Sequence, residues 1–320
     1  MKRLTEREII YYLEHRRGGS DQVKIPIGDD AALIYFDNPR VTICKDVSVE
    51  GTHFLKNTDP FYVARRSVLV NISDLAAMAS MPKYLLLGLT LPKIYSDEVW
   101  VKRFAKGIHS ALDEFDLHLV GGDVARGKLN ISITLIGEES CSSGSLRRSG
   151  VRPGHDIYIT GTLGDAAAGL ELLKKTNLKK NNQVNYLVKR YQDPTPRIEV
   201  AQKVANFAGG AIDVSDGLIN ELGILSDQSQ CAITVDTGLI PISKSLERIM
   251  DKSFLDFALY GGDDYELLFS SPPGKEKLIK QISRDLNTPI TLIGSATLGK
   301  GVELINYDSH KIKPKVFKHF

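Results

Sequence analysis

Six short stretches place acids beside Gly, Ser, Asn or Lys at the edges of apolar runs. They are Gly28-Asp29-Asp30, Lys45-Asp46, Asn71-Ile72-Ser73-Asp74, Gly121-Gly122-Asp123, Asp213-Val214-Ser215-Asp216-Gly217 and Gly261-Gly262-Asp263-Asp264. Taken singly, each reads as a helix cap or a turn, because short polar side chains bond back to nearby backbone. Their repetition along the chain points to a shared task. Carboxylates without accompanying Cys or His clusters are hard oxygen ligands suited to Mg²⁺. General acid and base work needs two such groups, and this set is larger. Magnesium held by scattered Asp residues most often serves bound phosphate. Two carboxylates at one sheet edge repel by ~4 kcal/mol at about 4 Å and an effective dielectric of about 20, and a cation between them resolves the conflict.

Composition narrows the classes. The chain has 320 residues, 42% hydrophobic and 25% charged, which is ordinary for a globular protein and long enough for two domains. Basic residues (41) nearly balance acidic ones (39), which argues against a nucleic-acid surface or an acidic tail. Cys44, Cys141 and Cys231 are scattered and odd in number, so reduced thiols are expected rather than a disulfide framework or a zinc site. The longest apolar run, residues 84–91, is too short to cross a bilayer. Residues 1–17 lack the apolar core of a signal peptide, so a cytoplasmic location and no membrane partner are expected. There is no Gly-x-x-x-x-Gly-Lys-Ser/Thr loop and no His-Arg-Asp loop, which removes the P-loop and protein-kinase readings.

The elements that must position these acids follow from periodicity and punctuation. A Thr5-x-x-Glu8 capping box opens a first helix. Strands are expected over 31–36 and 41–45, with Asp46 closing the second. Asp59-Pro60 starts a helix that leads into the Asn71 stretch, whose polar groups stand before a further helical turn. A strand over 83–91 precedes a helix capped by Ser96 and running to about Phe115. A short strand over 117–120 ends at Gly121-Gly122-Asp123, and residues 131–137 alternate as a strand. The Gly-, Ser- and Arg-rich stretch 142–154 marks a domain boundary near Gly150. Beyond it come a strand over 156–160, the turn Gly161-Thr162-Leu163-Gly164 and a helix over 165–173. That layout presents backbone N–H groups to a phosphate or satisfies a steric need for glycine. Residues 174–185 read as a solvated segment. A strand over 211–214 carries Ser215-Asp216-Gly217 at its carboxyl end, the edge where α/β sheets bind ligands.

Taken together, Gly28-Asp29-Asp30-Ala31-Ala32, Glu50-Gly51-Thr52-His53-Phe54, residues 71–78, Gly121-Gly122-Asp123, residues 213–218 and Gly262-Asp263-Asp264-Tyr265-Glu266-Leu267 resemble the thiamine-monophosphate kinases. These belong to the ATP-binding superfamily of aminoimidazole ribonucleotide synthetase. The match covers nearly the whole chain in order. The resemblance implies an α/β (α+β) protein of two domains, 1–149 and 150–320. The first would form a β-barrel shared with a second copy in a homodimer, and the second would be an α+β sandwich completing the active site. It implies ATP and thiamine monophosphate as substrates, several Mg²⁺ ions and no nucleic-acid partner. By position, Asp30, Asp46, Asp74, Asp123, Asp213 and Asp216 would be the magnesium ligands, with Asp74, Asp123 and Asp216 catalytic. Gly122, Asp123, Arg148 and Ser215 would contact ATP, and His53, Asp263 and Phe317 the acceptor. His53 also reads as a structural histidine, and the aromatic tail to Phe320 as a solvated end or a flap over substrate.

Two positions depart from the pattern. Cys44-Lys45 stands where a hydroxyl residue is expected before Asp46, so Lys45 either removes a metal contact or supplies part of a cation's charge. Asp263 is one methylene shorter than the Glu common there. The alternatives are another ATP-dependent synthetase of the superfamily, against which no reactive Cys stands near either terminus, and a non-catalytic Mg-ATP sensor.

Overall fold

The computed structural model describes residues 3–14, 20–27, 31–139, 144–175 and 181–306. Asp30 and Phe317 lie outside them, as do Gly28, Asp29, Cys141 and Phe320. The chain is a two-domain α+β protein that divides into two compact units: residues 1–75 with 80–139, and residues 76–79 with 140–320.

In the first unit the capping box forms as expected: Thr5 caps α1 (Glu6–Leu13), with both reciprocal bonds to Glu8 present. The short pair β1 (Val23–Ile25) and β2 (Leu33–Ile34) stands apart. Next come β3 (Val41–Val49), α2 (Pro60–Ala77), β4 (Ser80–Leu91), α3 (Glu98–Phe115), β5 (His118–Arg126) and β6 (Asn130–Glu139). The four longer strands form one sheet in the order β3-β6-β4-β5. Leu85, Leu87, Leu89 and Leu91 of β4 and Ile131, Ile133 and Leu135 of β6 are buried, as period-two alternation requires of a sheet with one covered face. In α2 every residue from 63 to 73 is buried, the signature of a helix enclosed on all sides. It lies close to α3: a Cβ on Gly107 would fall 2.2 Å from the Phe61 carbonyl oxygen.

Four sequence expectations change here. Asp46 sits inside β3, which runs on to Val49. Asn71, Ser73 and Asp74 are interior residues of α2 and cap nothing. The cap of α3 is Asp97, which accepts the Trp100 N–H, because Ser96 already closes the preceding 3₁₀ turn. The glycine pair 121–122 lies within β5, which passes through it by a register shift after Leu85 and Leu119.

The second unit contains β7 (Asp156–Thr160), α4 (Asp165–Leu173), α5 (Asn182–Gln192), α6 (Ile198–Val204), β8 (Ala211–Asp213) and α7 (Leu218–Ser229). It continues with β9 (Cys231–Asp236), α8 (Lys244–Met250), α9 (Phe254–Tyr260), β10 (Leu267–Ser271), α10 (Glu276–Asp285), β11 (Ile290–Leu298) and β12 (Gly301–Ile305). Its six strands run in the order β12-β9-β11-β7-β10-β8. Every pair is antiparallel except β12 with β9. Ile157 and Ile159 pack with Leu222, Leu225 and Leu259 on one face, whereas Tyr158 and Phe269 pack with Val200, Val204 and Ile279 on the other. Helices thus cover both faces, so β10 is buried at every position and β7 at every position after Asp156, without alternation. Of the segment 174–185, expected to be solvated, Lys174, Lys175, Asn181, Asn182 and Asn185 are exposed, and its last residues open α5, where Val184 turns inward. No described helix is long and apolar enough to cross a membrane.

Candidate active site

In the first unit α2 and β3 bring two of the expected ligands together. Asn71 donates from Nδ2 to the Ser67 carbonyl one turn back, at 2.9 Å. Its Oδ1 accepts the Asp46 N–H at 3.0 Å. That bond fixes the helix against the strand. Three residues on, Asp74 lies on the same helix face, and its carboxyl comes close enough to that of Asp46 to influence its ionisation. Burial raises the Asp46 carboxyl above its ordinary value, while Asp74 and the nearby His53 act to lower it. His53 accepts the Val49 N–H on Nδ1 at 3.1 Å, which leaves its Nε2 to carry the proton when the ring is neutral. Cys44 points toward the same place, with Sγ 3.4 Å from the Asn71 carbonyl oxygen.

Gly122 and Asp123 are not brought to this pair. Asp46 is in line with Ile133, Leu87 and Gly122, across three strand spacings, or ~14 Å. Asp123 is in the next row, beside Gly88 and Ser132, and therefore on the opposite face of the sheet. Two ligands of one Mg²⁺ lie within ~4 Å of each other, so Asp46 and Asp123 of one chain do not share an ion. Lys45 is on Asp123's face as well. Its ammonium donates to Ser132 Oγ at 2.6 Å and points toward Thr134 Oγ1 at 3.5 Å. It does not supply charge at the Asp46–Asp74 pair.

In the second unit, the end of β8 and the turn before β10 lock together. Asp263 donates its N–H to the Ser215 carbonyl at 2.7 Å, and Tyr265 donates to that of Val214 at 2.9 Å. A Cβ on Gly262 would fall 2.3 Å from the Ser215 oxygen, so this approach needs glycine. Gly217, at φ +104°, turns the chain into α7 against the Tyr260 backbone. Asp213 is buried and Asp216 exposed. Between them lies Glu221, which the sequence reading missed. It is 2% exposed, accepts the Asp216 N–H at 3.0 Å and faces Ser215 Oγ at 3.4 Å. Burial, joined by the charges of Asp213 and Asp216, pushes its carboxyl up to about 7. Its place four residues after Gly217, in the first turn of a helix, was the available signal.

Arg148 is not brought to these acids. Its carbonyl accepts from Ser229 Oγ, at the far end of α7 from Gly217, and eleven residues of helix span ~16 Å. The glycine turn 161–164 is decided in favour of structure. The N–H groups of Gly164 and Ala166, at the start of α4, donate to the Asp264 carboxylate at 2.5 and 3.1 Å. Burial pushes Asp264 up to about 8 against the opposing pull of Arg190 and of these bonds.

The donor chemistry fits Mg²⁺ in that Asp46 and Asp74 bring two hard carboxyl oxygen donors together. Among the described residues no group of three or more His, Cys, Asp or Glu is arranged to hold a metal. Magnesium characteristically takes one or two carboxylates and completes its shell with water and substrate phosphate.

Comparison with known proteins defines the class first. Residues 28–138 match the family model "AIR synthase related protein, N-terminal domain", and residues 152–305 match "AIR synthase related protein, C-terminal domain". A thiamine-monophosphate kinase of Buchnera aphidicola subsp. Schizaphis graminum is 41% identical, over 99% of each chain. The crystal structure of thiamine-monophosphate kinase from Stenotrophomonas maltophilia superposes with a TM-score of 0.84 at 34% identity, covering 93% of this chain and 95% of that one. A structure described as AaThiL complexed with AMPPCP and TMP gives 0.79 at 32% identity, with 92% of each chain covered. The chain belongs to the thiamine-monophosphate kinase family.

Proposed function

We propose that this enzyme transfers the γ-phosphoryl group of ATP to the phosphate of thiamine monophosphate, yielding thiamine diphosphate and ADP. The near full-length likeness to thiamine-monophosphate kinases carries the reading, and a relative that holds AMPPCP and TMP together supports both substrates. An acceptor phosphate oxygen bonds to the γ-phosphorus as the bond to the bridging β,γ-oxygen breaks, with ADP as leaving group. The acceptor is largely ionised at pH 7, since a phosphate monoester loses its second proton near ~6, so no strong base is required. Two anions must instead be held end to end. Bound Mg²⁺ would screen that repulsion and take up charge in the transition state.

Asp46 and Asp74 are the proposed ligands in the first unit, with Asp30 before β2. Asp213 and Asp216 are those in the second, with Ser215 beside them for ATP. Glu221 orients the Ser215–Asp216 turn through the Asp216 N–H. Residues 1–149 would carry the ATP and Mg²⁺ functions, with Gly122, Asp123 and Arg148 contacting nucleotide, and residues 150–320 would complete the site. His53, Asp263 and Phe317 are proposed to meet the acceptor. A homodimer is proposed on the outer face of β3, where Val41, Ile43 and Val47 are 38%, 65% and 41% exposed, a mainly apolar row interrupted by Lys45 that association would cover. A cytoplasmic location goes with this reading.

The test is product formation by the purified protein from Mg-ATP and thiamine monophosphate, with other phosphorylated acceptors in parallel. Thiamine diphosphate made from thiamine monophosphate alone among them supports the reading. ATP binding without any product overturns it.

A further inference from the structure

The turn before β10 carries Asp263 and holds Ser215, yet its own backbone is unfavourable. Asp263 has φ +72° and Tyr265 φ +52°, left-handed conformations that side chains other than Gly disfavour, bulky ones most. Two such residues flanking one position persist only when the surroundings over-determine them.

The surroundings here are a buried charge network wholly within the second unit. Side chains alternate along the segment: Asp264 and Glu266 are 0% and 1% exposed, whereas Asp263 and Tyr265 are half-buried. Asp264 is tied to the first turn of α4 through the Gly164 and Ala166 N–H groups. Glu266 receives Arg197 as a two-bond fork, Nε to Oε2 at 2.6 Å and Nη2 to Oε1 at 2.7 Å. It also receives Arg190 Nη2 at 2.7 Å and Thr160 Oγ1 at 2.6 Å. Thr160 Oγ1 in turn accepts the Leu267 N–H at 2.8 Å, and Arg190 Nη2 lies 3.4 Å from the Asp264 carbonyl. Space for this was made by glycine: a Cβ on Gly161 would sit 2.1 Å from Glu266 Oε1. On its other side the segment donates from Asp263 and Tyr265 to the carbonyls of Ser215 and Val214.

We propose that Arg190 and Arg197, acting through Glu266 and together with Asp264, are positioning residues that hold the turn 262–265 in its left-handed form and thereby set the Ser215–Asp216 loop against Asp263. Neither arginine is asked to touch substrate. Arg197 comes from the residue before α6 and Arg190 from the last turn of α5, so two helices remote in sequence fix the geometry of the acids. The cation readout below rests on the phosphotransferase reading; the exchange readout does not.

The experiment compares Arg197→Lys, which keeps the charge and loses the fork, with Asp264→Asn, which keeps the size and loses one of the two oxygens that accept the Gly164 and Ala166 N–H groups. Arg197→Ala is avoided because it strands a buried carboxylate. Both variants should unfold cooperatively. Hydrogen exchange at the Asp263 and Tyr265 amides should quicken by about tenfold or more while the Tyr158 and Ile159 amides of β7 keep their protection. Mn²⁺ binding followed by electron paramagnetic resonance should weaken by about tenfold, and kcat should fall more than the KM for ATP rises. Unchanged exchange at 263 and 265 in both folded variants overturns the proposal. So does equal quickening in β7, which would make the network merely structural. An unaltered parent that makes no thiamine diphosphate would remove the functional reading and leave the exchange test to decide this one.

Discussion

Asp74→Asn should move stability and activity in opposite directions, because the carboxyl it removes abuts another. Two ionised carboxylates at about 4 Å and an effective dielectric of about 20 repel by ~4 kcal/mol. Solvent and neighbouring groups screen part of this, so neutralising one partner should return ~1–2 kcal/mol at neutral pH in the absence of divalent cations. Asn preserves the volume, and the Asn71 bonds that fix α2 to β3 are untouched. Activity has no such compensation, since losing one oriented group at developing charge costs about 10²–10³ in kcat. In EDTA the variant should therefore melt above the parent. With Mg-ATP the order should reverse, as ligands stabilise only the form that binds them. Thermal unfolding under both conditions, with ADP release dependent on thiamine monophosphate, reads both effects. A lower melting temperature in EDTA, or a kcat within about threefold of the parent, would refute the reasoning.

Lys45→Thr restores the expected hydroxyl but should leave the Mg²⁺ activation constant unchanged, because Lys45 bonds to Ser132 on the face away from Asp46; a shift in that constant would place the ammonium at the ion after all. Gly107→Ala should destabilise by ~2 kcal/mol in urea titrations, since overpacking outweighs the ~1 kcal/mol of helix propensity gained, with the new Cβ 2.2 Å from the Phe61 oxygen and 2.8 Å from Ala64 Cβ. A gain in stability would mean that α2 and α3 part easily. Arg103 forks onto Asp59 at 2.8 and 2.6 Å and, against the effect of burial, holds its carboxyl below the ordinary value. A depressed folded value gives stability that is present above the unfolded pKa and lost as pH falls through the folded one. Both groups are well exposed, so Arg103→Met should cost only ~0.5–1 kcal/mol at neutral pH and nothing measurable by about pH 2. An equal cost at both pH values would show that packing, and not charge, is lost.

Local signals made much of the second unit legible. Strand 156–160 and helix 165–173 were expected with the bounds they have, since strong apolar runs there meet clear glycine punctuation. The capping box at Thr5 was equally local. Asp46 and Asp74 were both picked from sequence as acids at element edges, and they do meet, although each lies inside its element and not at an end. The reason is that α2 is buried all round. Polar residues that a half-exposed helix would expel are kept in it because they bond to Ser67 and to β3.

The sequence by itself determined which residues can do chemistry and which runs form helices and strands, because propensity, capping and side-chain type act over a few neighbours. Only the tertiary structure decided which of those residues meet. Pairing register set Asp123 on the opposite face from Asp46, for a one-residue step along a strand reverses the face. Long-range contacts gave the glycine turn 161–164 to Asp264, a hundred residues away, and placed Glu221 among the acids. No local pattern encodes these meetings, since they depend on where distant elements come to rest.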